Sequence, residues 1–148
     1  MKYESNFTLE SINISAEKGV KKKPVQQVNL ITDYGIENDA HCGKWHRQIS
    51  LLTQEDIESM KEKGLDVSAG DFAENITTLG VDLSIVKVGS KIHIDDSVLE
   101  VTQLGKVCHD RCHIYYEAGD CIMPRKGIFA RVVKGGKISL ESTGFIII

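Results

Sequence analysis

The sequence predicts a mainly β fold, a closed or nearly closed β-barrel with one or two short helices. Three observations predict it. Apolar residues recur with a period near two in most segments, short turn-forming clusters separate those segments, and only one stretch carries both a helix start and a helix stop. About seven short strands result, and strands this frequent leave open edges that are costly unless the sheet closes on itself.

The first strand is Phe7-Thr8-Leu9-Glu10-Ser11-Ile12-Asn13-Ile14, whose apolar residues share one face before the Glu17-Lys18-Gly19 turn. Lys21-Lys22-Lys23 reads as a solvated turn, and Pro24 to Ile31 as a second strand. Gly35 opens a long loop to His46, after which Ile49-Ser50-Leu51-Leu52 is apolar again. Thr53 is placed to cap a helix, with Asp56 three residues on as the acidic half of a capping box. Ile57 and Met60 form its apolar face, Lys61 and Lys63 suit the negative end of the helix dipole, and Gly64 stops it. Val86 to Ile94 and Val98 to Leu104 alternate around Asp95-Asp96-Ser97, which predicts a hairpin with His93 on its exposed face. A second hairpin is expected where Gly135-Gly136, supplying positive φ angles, separates Ile128–Val133 from Lys137–Leu140. Phe145 to Ile148 is a four-residue apolar tail.

The 148 residues fit one domain, 1–148, whose folding buries roughly 70% of the unfolded chain's surface without help from disulfides. A net charge of −3 argues against a dedicated nucleic-acid partner, which needs a concentrated positive surface. No apolar run approaches the roughly 20 residues that span a bilayer, and the polar, acidic N-terminus shows no export signal, so no membrane association and a cytoplasmic location are expected. In that compartment Cys42, Cys108, Cys112 and Cys121 are reduced thiols, to be read as core residues, metal ligands or reactive groups.

The densest polar cluster is Lys106-Val107-Cys108-His109-Asp110-Arg111-Cys112-His113. Lys106, His109 and Arg111 lie within three positions of Cys108, and such cations lower a thiol pKa from about 8.5 toward neutrality and so favour the reactive thiolate. Cys108 and Cys112 with His109 and His113 also offer soft ligands at zinc-like spacing, which keeps open a non-enzymatic zinc or redox module. Burial of both thiols as small hydrophobes is the third alternative. A second cluster, Asp39-Ala40-His41-Cys42-Gly43-Lys44-Trp45-His46-Arg47, suits an anion: Lys44 and Arg47 can pair with phosphate, His41 and His46 can donate, and Trp45 can stack on a flat ring or anchor the loop. Asn75, in Gly70-Asp71-Phe72-Ala73-Glu74-Asn75, sits in a polar turn, and Arg125 precedes the Ile128 strand, where a barrel mouth would place it.

Three blocks together resemble a stand-alone MOSC domain of bacterial type, the family named after the C-terminal domain of molybdenum cofactor sulfurase. Gly35 to His41 with Trp45 to Leu52 is similar to the family's Gly-Asp-x-His loop and following strand. Gly70 to Thr77 and on to Gly80 is similar to its Glu-Asn block, and Val88-Gly89-Ser90 to Cys108 to its closing hairpin and cysteine. Asn38 stands where many members have Gly, and Lys106-Val107 where larger relatives carry Arg and Pro.

The resemblance implies a β-barrel, a role in molybdenum-cofactor metabolism, and Cys108 as the key cysteine. That residue would accept persulfide sulfur from a cysteine desulfurase for delivery to a metal centre, as a sulfur carrier or transferase, or would ligate molybdenum in bound molybdopterin. His109 and Arg111 would tune the thiolate and Cys112 would resolve its persulfide or pair with it. His41, Lys44, His46, Arg47 and Arg125 would hold the pterin phosphate or another anion, with Asn75 orienting the loop. Partners implied are the desulfurase or a molybdenum-cofactor enzyme; pyridoxal phosphate belongs to the partner, because no Schiff-base lysine motif is present here. An interaction module of a cofactor-synthesis assembly is the remaining alternative.

Overall fold

The alternation of apolar and polar residues is realised in a computed structural model that describes residues 6–18, 20–105 and 126–148. Its strands are β1 (Asn6–Ile14), β2 (Lys23–Val25), β3 (Gln27–Ile31), β4 (Gly35–Ile36), β5 (Ile49–Thr53), β6 (Ile76–Leu79), β7 (Lys91–Ile94), β8 (Ser97–Leu104), β9 (Ile128–Lys134), β10 (Gly136–Ser139) and β11 (Thr143–Ile147). The helix α1 (Gln54–Glu62) follows β5 directly, and a 3₁₀ turn covers Leu83–Ile85.

Seven strands close into a barrel in the order β11-β7-β8-β9-β5-β6-β1, with β1 returning to β11 and β2 added beside β1. Every neighbouring pair is antiparallel except β5 with β6, whose parallel pairing is made by the crossover through α1. The expected barrel is therefore observed, and it is fully closed. Closure depends on the apolar tail: Gly144, Phe145 and Ile146 pair with Ile94, His93 and Ile92 on one side, and Phe145 and Gly144 pair with Asn6 and Phe7 on the other. A stretch read from sequence as a mere tail is thus the last stave.

Inward-facing residues such as Ile12, Ile49, Leu51, Ile76, Ile92, Leu99, Ala130, Val132 and Ile146 fill the interior. Outside, Leu52 and Phe129 join Ile57 and Met60 of α1 and Phe72 in a second, smaller core. All five positions of β5 are buried because one side faces the interior and the other faces α1. The helix begins as predicted: the Thr53 hydroxyl accepts from the Asp56 N–H at 3.0 Å, and Gly64 follows its end at φ 92°.

The first predicted hairpin is β7–β8, turning at Asp95 with φ 51°. His93 lies on its outer face, stacked on Phe145 at a ring separation of 4.5 Å. The second is not a hairpin. β10 pairs with β3, not with β9, and with β4 they form a separate three-stranded sheet. Gly135 and Gly136 are absent from the positive-φ positions; they are small because a Cβ on Gly135 would lie 2.3 Å from the Leu30 carbonyl oxygen and one on Gly136 2.7 Å from Ser97 Oγ. The continuous strand expected from Pro24 to Ile31 is broken at Gln26, so that β2 serves the barrel and β3 the small sheet.

Lys21-Lys22-Lys23 also differs from expectation. Lys21 and Lys23 are exposed, whereas the Lys22 side chain is fully buried against Asp39 at 2.8 Å. Among the described residues no helix is long and apolar enough to cross a membrane.

Candidate functional site

Residues 37–48 bring the second predicted cluster to the outer wall of the barrel. The loop's path is fixed by left-handed backbone at Asn38 (φ 71°) and Gly43 (φ 140°), a conformation that favours Gly and tolerates Asn. Asn at position 38 therefore keeps the turn. The loop's other end is held by the buried Gln48, whose Oε1 accepts from the Val132 N–H at 2.9 Å while its Nε2 donates to the Gly43 carbonyl.

At the inner side of this loop Asp39 is buried and accepts from Lys22 Nζ and from the Ser15 and His41 N–H groups. Burial alone pushes its carboxyl upward; the hydrogen bond and charge of Lys22, aided by the two backbone donors, outweigh that and hold it below the usual carboxylate range. Lys22 Nζ also lies 3.2 Å from Ser15 Oγ and 2.9 Å from His41 Nδ1.

At the outer side Trp45 is the centrepiece. Its indole N–H donates to the His41 carbonyl at 2.8 Å, and its ring lies nearly parallel to the His41 imidazole. Two cations sit over it, Arg47 at 4.8 Å and Lys18 at 4.7 Å from the ring centre. Arg47 also lies over Phe129, and its Nε is buried with no hydrogen-bond partner among the described residues. Among the described residues no carboxylate pairs with Arg47, and Lys44 is exposed beside it. A buried guanidinium N–H without an acceptor fits an anionic oxygen, so the loop suits an anion such as phosphate.

His46 links this loop to the wall that leads to the cysteine cluster. Its carbonyl accepts from the Thr102 hydroxyl, and its Nε2 is 2.8 Å from Gln103 Oε1. Gln103 Nε2 donates to the Gly105 carbonyl at 2.7 Å, which leaves Oε1 as an acceptor and makes His46 Nε2 the donor. The Gly105 N–H in turn donates to the Gly127 carbonyl at 2.7 Å. Cys108, His109, Arg111, Cys112 and Arg125 lie outside the described residues. Lys126, next to Arg125, lines a cavity of about 580 Å³ at the barrel end together with Glu55, Asp56, Asp82, Leu83 and Leu104. None of the loop cations lines that cavity.

Asn75 is fully buried at the start of β6. Its Oδ1 accepts from the Ser50 N–H and hydroxyl and its Nδ2 donates to the Asn13 carbonyl, so it ties β5 to β1 two residues from Gln48. Glu74 beside it accepts from the Gly70 N–H and the Thr77 hydroxyl through Oε2, while Oε1 is buried with no hydrogen-bond partner among the described residues. Burial raises its pKa against the pull of those donors.

The structure therefore gathers His41, His46 and Arg47 around Trp45, whereas Lys44 is exposed and Asn75 is buried between β5 and β1. Lys18, Lys22, Thr102 and Gln103 were not singled out as site residues from the sequence; Lys18 and Lys22 carry charge in sequence, but only the fold shows which indole or carboxylate they meet. Among the described residues no group of three or more His, Cys, Asp or Glu side chains could hold a metal ion.

The fold matches that of the YuaD protein from Bacillus subtilis with a TM-score of 0.82 and 18% identity, over 99% of this chain and 98% of that one. It matches YiiM from Escherichia coli at 0.69 and 18% identity, over 97% and 69% of the two chains, and YiiM from Geobacillus stearothermophilus at 0.69 and 20%, over 96% and 75%. No curated protein matches the chain in sequence. The model of the MOSC domain family matches residues 38–143, from the start of the cationic loop to the first residue of β11. The chain belongs to the MOSC domain family, a family related to the molybdenum cofactor.

Proposed function

We propose that this protein, a single domain over 1–148, handles sulfur or molybdenum in molybdenum-cofactor metabolism through the thiolate of Cys108, with the cationic loop holding an anionic group of the ligand. The observation that carries the reading is the linkage His46–Gln103–Gly105. Cys108 follows Gly105 by three residues in sequence, a length of chain that spans at most about 11 Å, and this supports a reading in which thiol and loop cations serve one ligand.

In the carrier role the Cys108 thiolate attacks the outer sulfur of a persulfide on a cysteine desulfurase. A new S–S bond forms on Cys108, the old one breaks, and the desulfurase cysteine leaves as thiolate, with no net oxidation. His109 and Arg111 favour the thiolate by their charge, and Cys112 is placed by sequence to resolve the persulfide. In the ligand role the same soft thiolate holds molybdenum, and the bound cofactor supplies the redox chemistry. His41, Lys44, His46, Arg47 and Arg125 would hold the pterin phosphate or another anionic group, and Asn75 would orient the loop around it. Pyridoxal phosphate remains on the partner.

The test is intact mass with elemental analysis of protein purified without reductant. One added sulfur on the Cys108 peptide, or molybdenum with a pterin, is expected and is lost in Cys108→Ser with thermal stability nearly unchanged. Zinc near one per chain, lost in Cys108→Ser and Cys112→Ser alike, identifies a zinc or redox module instead.

A further inference from the structure

Two positive side chains converge on one indole, and they come from different segments of the chain. Arg47 belongs to the loop of residues 37–48, its Cζ 4.8 Å from the centre of the Trp45 ring, and Lys18 belongs to the connection between β1 and β2, its Nζ 4.7 Å from the same centre. That connection is fastened to the loop: the Ser15 N–H donates to Asp39 Oδ1 at 3.1 Å and the Ala40 N–H to the Ser15 carbonyl at 2.8 Å. The Ser15 hydroxyl then donates to the Glu17 carbonyl at 2.9 Å, which tightens the turn that leads to Lys18. Two charges this near to one point lie within a Debye length of each other, about 10 Å at 0.1 M salt, so each feels the other's repulsion. Among the described residues neither forms an ion pair or donates a hydrogen bond, and the buried carboxylate of the loop, Asp39, is taken up by Lys22 at 2.8 Å. A cation over a ring face uses its charge and leaves its N–H groups without acceptors.

We propose that Lys18 is a binding residue of the anion site, the second arm of a clamp in which Lys18 and Arg47, gathered on Trp45, donate to the oxygens of one phosphate-sized tetrahedral dianion. Attraction to a ring is weak at an exposed site, and an anionic oxygen offers each arm a charge-assisted hydrogen bond in its place. The charge of the ligand follows from the arms: two cations with no acid between them are neutralised by two negative charges, and a phosphate monoester carries about two at neutral pH. Lys18 precedes residues 38–143, which the family model matches, so the family likeness does not assign it. The inference deepens the anion-holding part of the proposed function and rests on it.

Trp45 is the chain's single tryptophan, so its emission reports on this site alone. The experiment is titration of the full-length protein with inorganic phosphate at constant ionic strength, made up with sodium chloride and followed by tryptophan fluorescence. Affinity is read from the midpoint, and calorimetric titration supplies it where a variant's emission no longer responds. Saturable binding is expected for the wild type. Lys18→Met is expected to weaken it roughly fivefold, the equivalent of one unit charge at contact distance in water, and Lys18→Arg to keep it. Lys21→Met removes the same charge three positions along, where the side chain is exposed and 3.9 Å from Asp71, and is expected to bind as the wild type does. Wild-type affinity in Lys18→Met, equal weakening in Lys21→Met, or no saturable binding by the wild type each overturns the proposal. Undiminished binding in Lys18→Met beside weakened binding in Arg47→Ala removes Lys18 and leaves the anion-holding reading standing. A wild type that does not bind phosphate removes both, and sulfur loading of Cys108, which is not read here, is untouched by either result.

Discussion

The barrel interior and the polar seam outside its lower strands are both buried, but they are built on opposite principles. Inside, Ile12, Leu51, Ile76, Ile92 and Leu99 make contacts without direction, and each needs only to be apolar and of suitable volume. In the seam, Asn13, Ser50, Glu74, Asn75, Lys22 and Asp39 meet through directed hydrogen bonds, each of which needs a donor set against an acceptor. The interior holds the chain together; the seam decides where the loop of Arg47 lies. Stability and site geometry are thus carried by different residues, and substitutions can separate them.

The largest effect is expected where the seam is broken at its charge. Asp39→Ala leaves the Lys22 ammonium buried without its counter-ion and should cost about 3–5 kcal/mol in urea unfolding. Leu51→Ala, in the interior, should cost a similar about 2–5 kcal/mol through lost burial and a cavity. The two diverge in function: the folded fraction of Leu51→Ala should bind phosphate as wild type does, whereas Asp39→Ala should not. Equal binding by both would erase the distinction.

A pH series sharpens it further. The Glu74 pKa is raised in the folded state, so the native protein holds its proton longer than the unfolded chain. Stability linked to Glu74 is complete below the unfolded value of about 4.3 and is lost as pH rises through the folded pKa. Asp39 is lowered, so its contribution is present above about 3.9 and lost as pH falls toward its folded pKa. Glu74→Gln should therefore flatten the loss of stability as pH rises above about 4.3 while keeping the loss at acid pH, read as urea midpoints. The smallest stability change is expected for Arg47→Ala, whose Nε has no hydrogen-bond partner among the described residues. Its effect should appear instead as weakened binding of a phosphorylated pterin, and unaltered affinity takes Arg47 out of the site.

The same contrast explains which parts of the molecule were legible in the sequence. Elements whose causes are local were readable: the Thr53 cap and Gly64 stop of α1, the alternation of β1, and the β7–β8 hairpin around Asp95. Elements defined by a distant partner were not. β10 looks like the return of a hairpin because Gly135-Gly136 precedes it, yet its partner is β3, about a hundred residues earlier in the chain. Lys22 resembles its exposed neighbours until Asp39, seventeen residues on, meets it. The loop chemistry of Arg47, His41 and His46 was legible because those side chains are adjacent in sequence. Lys18 and Gln103 were missed because only folding brings them to that loop.

The hydrogen bond from the Gly105 N–H to the Gly127 carbonyl has an evolutionary corollary. It ties Gly105, just past β8, to Gly127, just before β9, so the pairing of those two staves is closed at this end by a bond of its own. Substitutions that keep this bond and the β8–β9 ladder leave the staves in register, and descendants of this scaffold can change side chains elsewhere while inheriting the barrel unchanged.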